Sequence, residues 1–285
     1  AASSEPVTFM CRMSALAATA LVLSLASPAL ARAPEAKSAP AQAATPASAA
    51  QPAPPRKASA EERTMAQRLD PLARAAFWAR EADLDPMDAE AGVGLSQALR
   101  AMGRYDEALN AAQRVLLAKP DAEEALLEEA RAQIGKGQGF YAIEPARQAQ
   151  AKAPADWRPA GLMAIAYDQA GRPDEALQAH RQAIALAPEN PTPLANLALY
   201  YAAHGDAAQA ETLLRAAAAK PGATMAVRQN LALILGLQGR FDEAEKIARQ
   251  DLPPEVVASN MTWLRNAAAS PAASQRSWDS VRTAQ

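Results

Sequence analysis

Apolar residues recur along most of the chain at the spacing of amphipathic helices. The first clear pair of such helices covers Ala89–Met102 and Asp106–Ala118. Gly103 lies between them, where a helix commonly ends on a residue in the left-handed conformation that glycine adopts most easily. Asp106 opens the second helix and can cap it or favour the positive end of its dipole. The pattern predicts two helices that pack together across a short turn.

The helix pair recurs every 34 residues. Three series of small residues keep this period through five units. They are Gly103, Gly137, Gly171, Gly205 and Gly239 at the turn, Ala108, Ala142, Ala176, Ala210 and Ala244 after it, and Ser96, Ala130, Ala164, Ala198 and Ala232 before it. Small side chains let two helices cross closely, so the series mark the predicted crossings. The sequence therefore predicts five repeats over residues 89–252, beginning at residues 89, 123, 157, 191 and 225.

This period and its small-residue series resemble the tetratricopeptide repeat (TPR), and prolines close the first three units as they commonly do in that repeat. The resemblance implies an all-α solenoid of paired antiparallel helices wound into a right-handed superhelix. Composition agrees, because half of the residues are hydrophobic but only 5% are aromatic, and β-branched and aromatic residues are what strands favour. Alanine, the best helix former, supplies much of the apolar fraction.

Shorter predicted helices flank the repeats. Residues 59–88 are interpreted as a degenerate leading pair, Ala60–Leu69 and Pro71–Leu84. After the fifth repeat, residues 253–266 predict a capping helix over Glu255–Asn266, because a solenoid needs its last open face covered. The polar residues 267–285 predict a disordered tail.

Residues 1–31 have the pattern of an export signal. Arg12 precedes an uncharged run from Met13 to Ala31, with a breaker at Pro28 and small residues before the expected cleavage after Ala31. The alternative is a retained membrane anchor, because the run of 19 residues borders on spanning length. The sequence predicts an exported, periplasmic protein. We expect membrane association only if the signal region stays uncleaved.

Residues 32–58 are rich in alanine and proline and show no hydrophobic periodicity. Nothing in them offsets the entropy lost on ordering a chain, so they predict a disordered linker that completes a disordered N-terminal region. In polyproline conformation, 27 residues reach at most about 80 Å.

Charge and residue usage exclude several functional classes. The formal net charge of −2 argues against binding nucleic acid, which needs a basic surface. One cysteine, Cys11, and two histidines, His180 and His204, leave no cysteine cluster or histidine set for a metal. His180 falls inside a helix and is interpreted as a packed, neutral side chain. With no nucleophile placed beside a base, we expect no enzymatic activity and no cofactor.

The remaining candidate site is the surface formed by the first helix of each repeat, which lines the inner groove in TPR proteins. The polar residues predicted to line it are Arg100, Arg131, Arg158, Asn196, Gln229 and Asn230. Asn196 and Asn230 are 34 residues apart, and their amides can both donate to and accept from an extended peptide. The alternative is that asparagine is simply common there and contacts only water.

An acidic run lies at the start of the second repeat: Asp121, Glu123, Glu124, Glu128 and Glu129. We interpret it as a solvated helix face with favourable charge near the helix N-terminus. A patch for a basic peptide is the alternative. The lysine and arginine set of the chaperone-type carboxylate clamp is absent, which disfavours binding of an EEVD-like tail.

The stretch VRQNLALILGLQGRFDEAEKIARQDLPP (Val227–Pro254), followed by Asn260 and Trp263-Leu264-Arg265, resembles the TadD family of TPR proteins in tight-adherence (Flp) pilus assembly. The resemblance implies a pilotin-like partner of the outer-membrane secretin, associated with that membrane. The sequence departs from the family's lipoprotein form, because no cysteine follows the signal region. A general periplasmic TPR co-chaperone or cell-envelope adaptor is the alternative function.

Overall fold

The computed structural model describes residues 56–269, and within that range every regular element is a helix. The all-α fold is therefore as predicted. The proposed signal peptide, residues 32–55 of the predicted linker and the tail beyond residue 269 lie outside the described residues.

Thirteen helices follow one another through these residues. They are α1 Ala60–Ala66, α2 Pro71–Leu84, α3 Ala89–Ala101, α4 Tyr105–Ala118, α5 Glu123–Gly135, α6 Gly139–Lys152, α7 Trp157–Gln169, α8 Pro173–Leu186, α9 Pro191–Ala203, α10 Ala207–Ala218, α11 Met225–Leu237, α12 Phe241–Ala248 and α13 Pro254–Ala269. We call α3, α5, α7, α9 and α11 the first helices, and they begin at residues 89, 123, 157, 191 and 225. Each first helix packs on its own second helix and also on the next first helix, which builds a solenoid.

The small-residue series lie at the helix crossings. All five alanines of the series that follows the turn, and all five residues of the series that precedes it, are completely buried. In the first repeat the two series touch, because the hydroxyl of Ser96 donates a hydrogen bond of 2.8 Å to the carbonyl oxygen of Ala108. The tight crossings explain why alanine replaces larger side chains at these positions.

The predicted turn glycines are in the left-handed region, with φ between 71° and 85° for all five. The helix caps differ from expectation. Asp106 and its counterparts lie inside the first turn of the second helices and make no capping hydrogen bond, so only their favourable interaction with the dipole remains. Side-chain caps instead begin most first helices, as when Asn190 accepts from the N–H of Thr192.

The leading pair α1–α2 is part of the solenoid. Trp78 of α2 is almost completely buried against Gly94 of α3. Arg63 of α1 reaches three carboxylates, with its Nη2 atom 3.1 Å from Glu81 Oε2 and 2.6 Å from Asp88 Oδ2, and its Nη1 atom 2.6 Å from Glu90 Oε2. These contacts hold α1 against the rest of the solenoid. The helix ends at Ala66, three residues before the predicted end at residue 69.

At the other end, α13 packs on α11 and α12. Its buried face carries Val257, Met261 and Leu264, and Leu264 occupies the space left above Gly236 of α11. Because the helix continues to Ala269, residues 267–269 are helical rather than part of the predicted tail. The outward positions of α13 are largely polar or alanine, which suits a cap.

Candidate functional site

We use "inner surface" for the face formed by the first helices α3, α5, α7, α9 and α11. Its character changes along the solenoid, because the charged candidates belong to the first three repeats and the amide candidates to the last two. The two halves also differ in whether their polar side chains already have partners for ion pairs or hydrogen bonds.

Arg100 and Arg131 share one completely buried carboxylate, that of Glu128 on α5. Arg100 Nε lies 3.0 Å from Glu128 Oε2, and Arg131 Nη1 lies 2.5 Å from Glu128 Oε1. Burial disfavours the ionised form of Glu128, but the two guanidinium charges outweigh it and hold the pKa of Glu128 below its usual value. The interpretation of the acidic run as a solvated face is therefore wrong for Glu128, because burial within a helix packed on both sides cannot be read from charge spacing.

Arg158 of α7 is held between three carboxylates. Its guanidinium lies 2.7 Å from Glu124, 2.6 Å from Asp156 and 3.3 Å from Glu123. Like Arg100, it joins one repeat to the next, whereas Arg131 pairs with Glu128 of its own helix. Partial burial opposes the charge of Arg158, yet its carboxylate partners raise its pKa.

Asn196 of α9 and Asn230 of α11 occupy equivalent places on neighbouring first helices, and both are half-buried. Within residues 56–269, the side-chain amide of neither residue makes a hydrogen bond. The amide of Asn196 points toward Gly161 of α7, since its Nδ2 atom lies 4.0 Å from where a Cβ at residue 161 would stand. Half-buried Leu199 lies one turn further along α9 and gives the same face an apolar position.

Gln229 differs from its neighbour Asn230, because it is only 3% exposed. Its Nε2 atom lies 3.3 Å from Asp251 Oδ2, and Asp251 is in turn paired with Arg228 at 2.5 Å. The hydrogen bond and charge of Arg228 lower the pKa of Asp251. The structure therefore places Gln229 inside the end of the solenoid rather than on the open inner surface. Sequence reasoning missed this because Asp251 lies beyond the next helix.

The two histidines have different surroundings. His180 is buried beside the ring of Tyr200, 5.4 Å between centroids, and burial lowers the pKa of His180 to about 4. It is neutral, as the sequence interpretation expected. His204 Nε2 lies 3.2 Å from Asp168 Oδ1 at the end of α7. In the part of the chain that the structure describes, histidine, cysteine, aspartate and glutamate nowhere gather in a group that could hold a metal ion.

Among residues 56–269, no helix is both long enough and apolar enough to cross a membrane.

Comparisons with known proteins agree with the geometry. Residues 93–126, 169–224 and 224–252 each match a family model described as tetratricopeptide repeat. TTC0263, a thermophilic TPR protein in Thermus thermophilus, is similar in structure, with 26% identity and a TM-score of 0.55 over 62% of this chain and 99% of that one. No curated protein matches the sequence.

A tetratricopeptide repeat protein from Parabacteroides merdae has a TM-score of 0.59 at 16% identity, and the match covers 72% of this chain and 80% of that one. At this identity the likeness concerns the fold alone. Together with the 34-residue period of the helices and the fully buried alanine series, the comparisons support one conclusion. Residues 60–269 form a TPR-like helical solenoid, within which residues 93–126 and 169–252 match tetratricopeptide-repeat models.

Proposed function

We propose that the protein is a non-catalytic scaffold whose inner surface holds an extended peptide or a helix of a partner protein. The observation that carries the proposal is the pair of unbonded amides at Asn196 and Asn230. A half-buried amide that forms no hydrogen bond within its own fold is free to bind an added donor or acceptor. The amide nitrogen of the buried Gln229, by contrast, already donates to Asp251.

The spacing of the two amides suits a peptide backbone. Packed neighbouring helices lie about 8–10 Å apart, and an extended chain advances about 3.3 Å per residue. Two amides on successive first helices would therefore meet backbone groups about three residues apart. Leu199 and Ile165, both half-buried on the same surface, would contact apolar side chains of such a peptide.

The biological setting is a further part of the proposal. The resemblance of Val227–Pro254 to the TadD family and the signal-like residues 1–31 support a role as an exported factor in Flp pilus assembly. In that role the partner is the outer-membrane secretin or another pilus component. Arg100 and Arg158 then act mainly by keeping neighbouring repeats in register, since each already faces a carboxylate of the adjoining repeat, and Arg131 helps to neutralise the buried Glu128.

Site-specific cross-linking in the native envelope tests the proposal. A photoreactive residue replaces Asn196 in one chain and Gln178, which is exposed on the second helix α8, in a control chain. We expect a secretin or pilus component to be captured from position 196 and not from position 178. Capture of the same protein from both positions would contradict binding at the inner surface. Capture from position 196 of cell-wall enzymes or chaperones alone would support the adaptor alternative and reject the pilus role.

A further inference from the structure

Helix α6 begins with two exposed aromatic residues. The side chains of Phe140 and Tyr141 are 68% and 63% exposed, and their rings contact each other edge to face, 5.6 Å between centroids. The corresponding pairs in the other repeats contain no aromatic residue: Asp106-Glu107, Asp174-Glu175, Ala208-Gln209 and Asp242-Glu243. The second repeat is therefore the only one of the five to place aromatic rings at these surface positions.

The stability of α6 does not explain why aromatic residues occupy these two positions in the second repeat. Acidic residues in the first turn stabilise a helix through its dipole, and α6 has none there. Gly139 gives the start of α6 close contact with α7, because a Cβ at this position would lie 2.6 Å from the carbonyl oxygen of Ala166. The two following side chains point away from that contact into solvent. Large exposed rings at a helix start, where charge would stabilise the helix, indicate a surface kept for binding.

The small exposed area of this aromatic pair limits the kind of ligand that it can bind on its own. Two rings about two-thirds exposed offer on the order of 200–300 Å² of apolar area, whereas a stable interface buries about 800 Å² on each partner. A second copy of the chain or a free partner protein would therefore need other contacts. A weak site of this size can still be occupied by a ligand on the same chain, because a tether raises its effective concentration to the millimolar range.

A segment with suitable chemistry precedes the solenoid. Residues 32–55 contain six prolines, and alanine is the only other apolar residue type among them. Pro34, Pro40, Pro46 and Pro52 follow one another at intervals of six residues. In a polyproline helix, which has three residues per turn, residues at this spacing would share one face. Proline rings presented in this way are the ligands that exposed aromatic side chains recognise in proline-binding domains.

The segment is attached close enough to reach α6. Its following residues are fixed on α2, where Arg80 Nη2 donates to the carbonyl oxygen of Arg56 at 2.9 Å and the N–H of Ala58 donates to Glu81 at 2.9 Å. Four steps between packed helices separate α2 from α6, which is about 40 Å at about 10 Å a step. Sixteen residues, from Pro40 to Arg56, span about 50 Å in polyproline conformation.

We propose that Phe140 and Tyr141 form a docking site for the proline-rich segment 32–55 of the same chain. The rings of Pro34 and Pro40, which lie far enough from Arg56 along the chain to reach α6, stack on the aromatic pair, and the hold of α2 on residues 56–58 keeps the segment within reach. This contact lies on a second helix, apart from the inner surface. The docking proposal can therefore be tested separately from the proposed peptide binding.

Photocross-linking in the full chain tests the proposal. Benzoylphenylalanine replaces Phe140 in one chain and Asp174, the equivalent residue of the third repeat, in the control chain. We expect intramolecular cross-links from position 140 to residues 32–55, with a yield that dilution does not change, and none from position 174. Replacing Pro34 and Pro40 with alanine should lower the yield at least fivefold. Links to another copy, links elsewhere or no links would overturn the proposal.

A proteolysis experiment gives an independent readout. The double variant Phe140→Asp, Tyr141→Glu carries the residues of the first repeat, so we expect it to keep the melting temperature of the parent protein or exceed it. Lys37 is the only lysine or arginine between residues 33 and 55 and gives trypsin a single site there. Cleavage after Lys37 should be at least threefold faster in the variant. Equal cleavage rates in two folded proteins would contradict docking.

Discussion

Trp78 packs so closely on Gly94 that a methyl group at residue 94 should destabilise the contact between α2 and α3. A Cβ at residue 94 would lie 2.5 Å from Trp78 Cδ2, 2.6 Å from Cε2 and 2.8 Å from Nε1. Trp78 is only 1% exposed, so its rigid indole has no open space into which it could move. The variant Gly94→Ala must therefore shift the indole or separate α2 from α3.

The magnitude follows from two opposing terms. Alanine in a helix interior is more favourable than glycine by about 1 kcal/mol, and overpacking a core costs about 1–3 kcal/mol. Gly161 of α7 supplies a matched control, since a Cβ there would meet its nearest atom, in the ring of Trp157, at an ordinary 3.4 Å. Both variants gain the same propensity term. The difference between their free energies of unfolding thus isolates the steric term.

Denaturant unfolding of Gly94→Ala and Gly161→Ala, followed by circular dichroism, measures this difference. We expect Gly161→Ala to be as stable as the parent protein or up to about 1 kcal/mol more stable. Gly94→Ala should be about 1–3 kcal/mol less stable than Gly161→Ala. Equal stability of the two variants would refute the close packing of Trp78 on α3, and with it the assignment of α1–α2 to the solenoid.

Three further predictions concern buried groups. The pKa of His180 is about 4 in the folded protein and about 6.5 in the unfolded chain, so the free energy of unfolding falls as the pH is lowered from 6.5 toward 4. In urea titrations over this interval, the free energy of unfolding of His180→Phe should fall by about 3 kcal/mol less than that of the parent protein. Glu128→Gln should cost about 1–3 kcal/mol at pH 7, because its two partly exposed arginines lose their shared negative partner. The cost should shrink as the pH falls below the usual glutamate pKa of 4.5 and the parent carboxylate protonates; a constant difference would contradict the pairing. Ala176→Leu should overpack a fully buried crossing and lower the melting temperature by several degrees, whereas an unchanged melting curve would mean that residue 176 is not at a crossing.

Much of the fold could be predicted because its constraints are local and repeated. A glycine with positive φ at each turn and a fully buried small residue at each crossing leave a period that is visible without any contact information. The helix ends were less accessible. The capping side chains lie just before the first helices, where Asp156 and Asn190 accept hydrogen bonds from backbone N–H groups. Prolines lie close to both residues, so the sequence alone does not show which residue caps the helix.

The candidate site was harder to predict, because exposure depends on residues far along the chain. Glu128 belongs to an acidic run, yet arginines from two helices enclose it. Gln229 and Asn230 are adjacent in sequence, and only the first contacts Asp251 from beyond the next helix. The exposed pair Phe140-Tyr141 was accessible in principle, since aligning the repeats reveals aromatic residues at positions where the others carry none.

The central claim is that the amides of Asn196 and Asn230 bind the partner. Titration calorimetry of the full chain with the envelope protein that the cross-link from position 196 identifies tests it most directly. The parent protein is compared with the double variant Asn196→Ala, Asn230→Ala and with a control that carries alanine at Gln178 and Gln182, both exposed on α8.

Two lost hydrogen bonds of about 0.5–1.5 kcal/mol each correspond to about a five- to 150-fold loss of affinity. We predict a loss in this range for the asparagine variant, with an unchanged melting temperature and with control affinity equal to that of the parent. Equal affinity in all three proteins would contradict the claim.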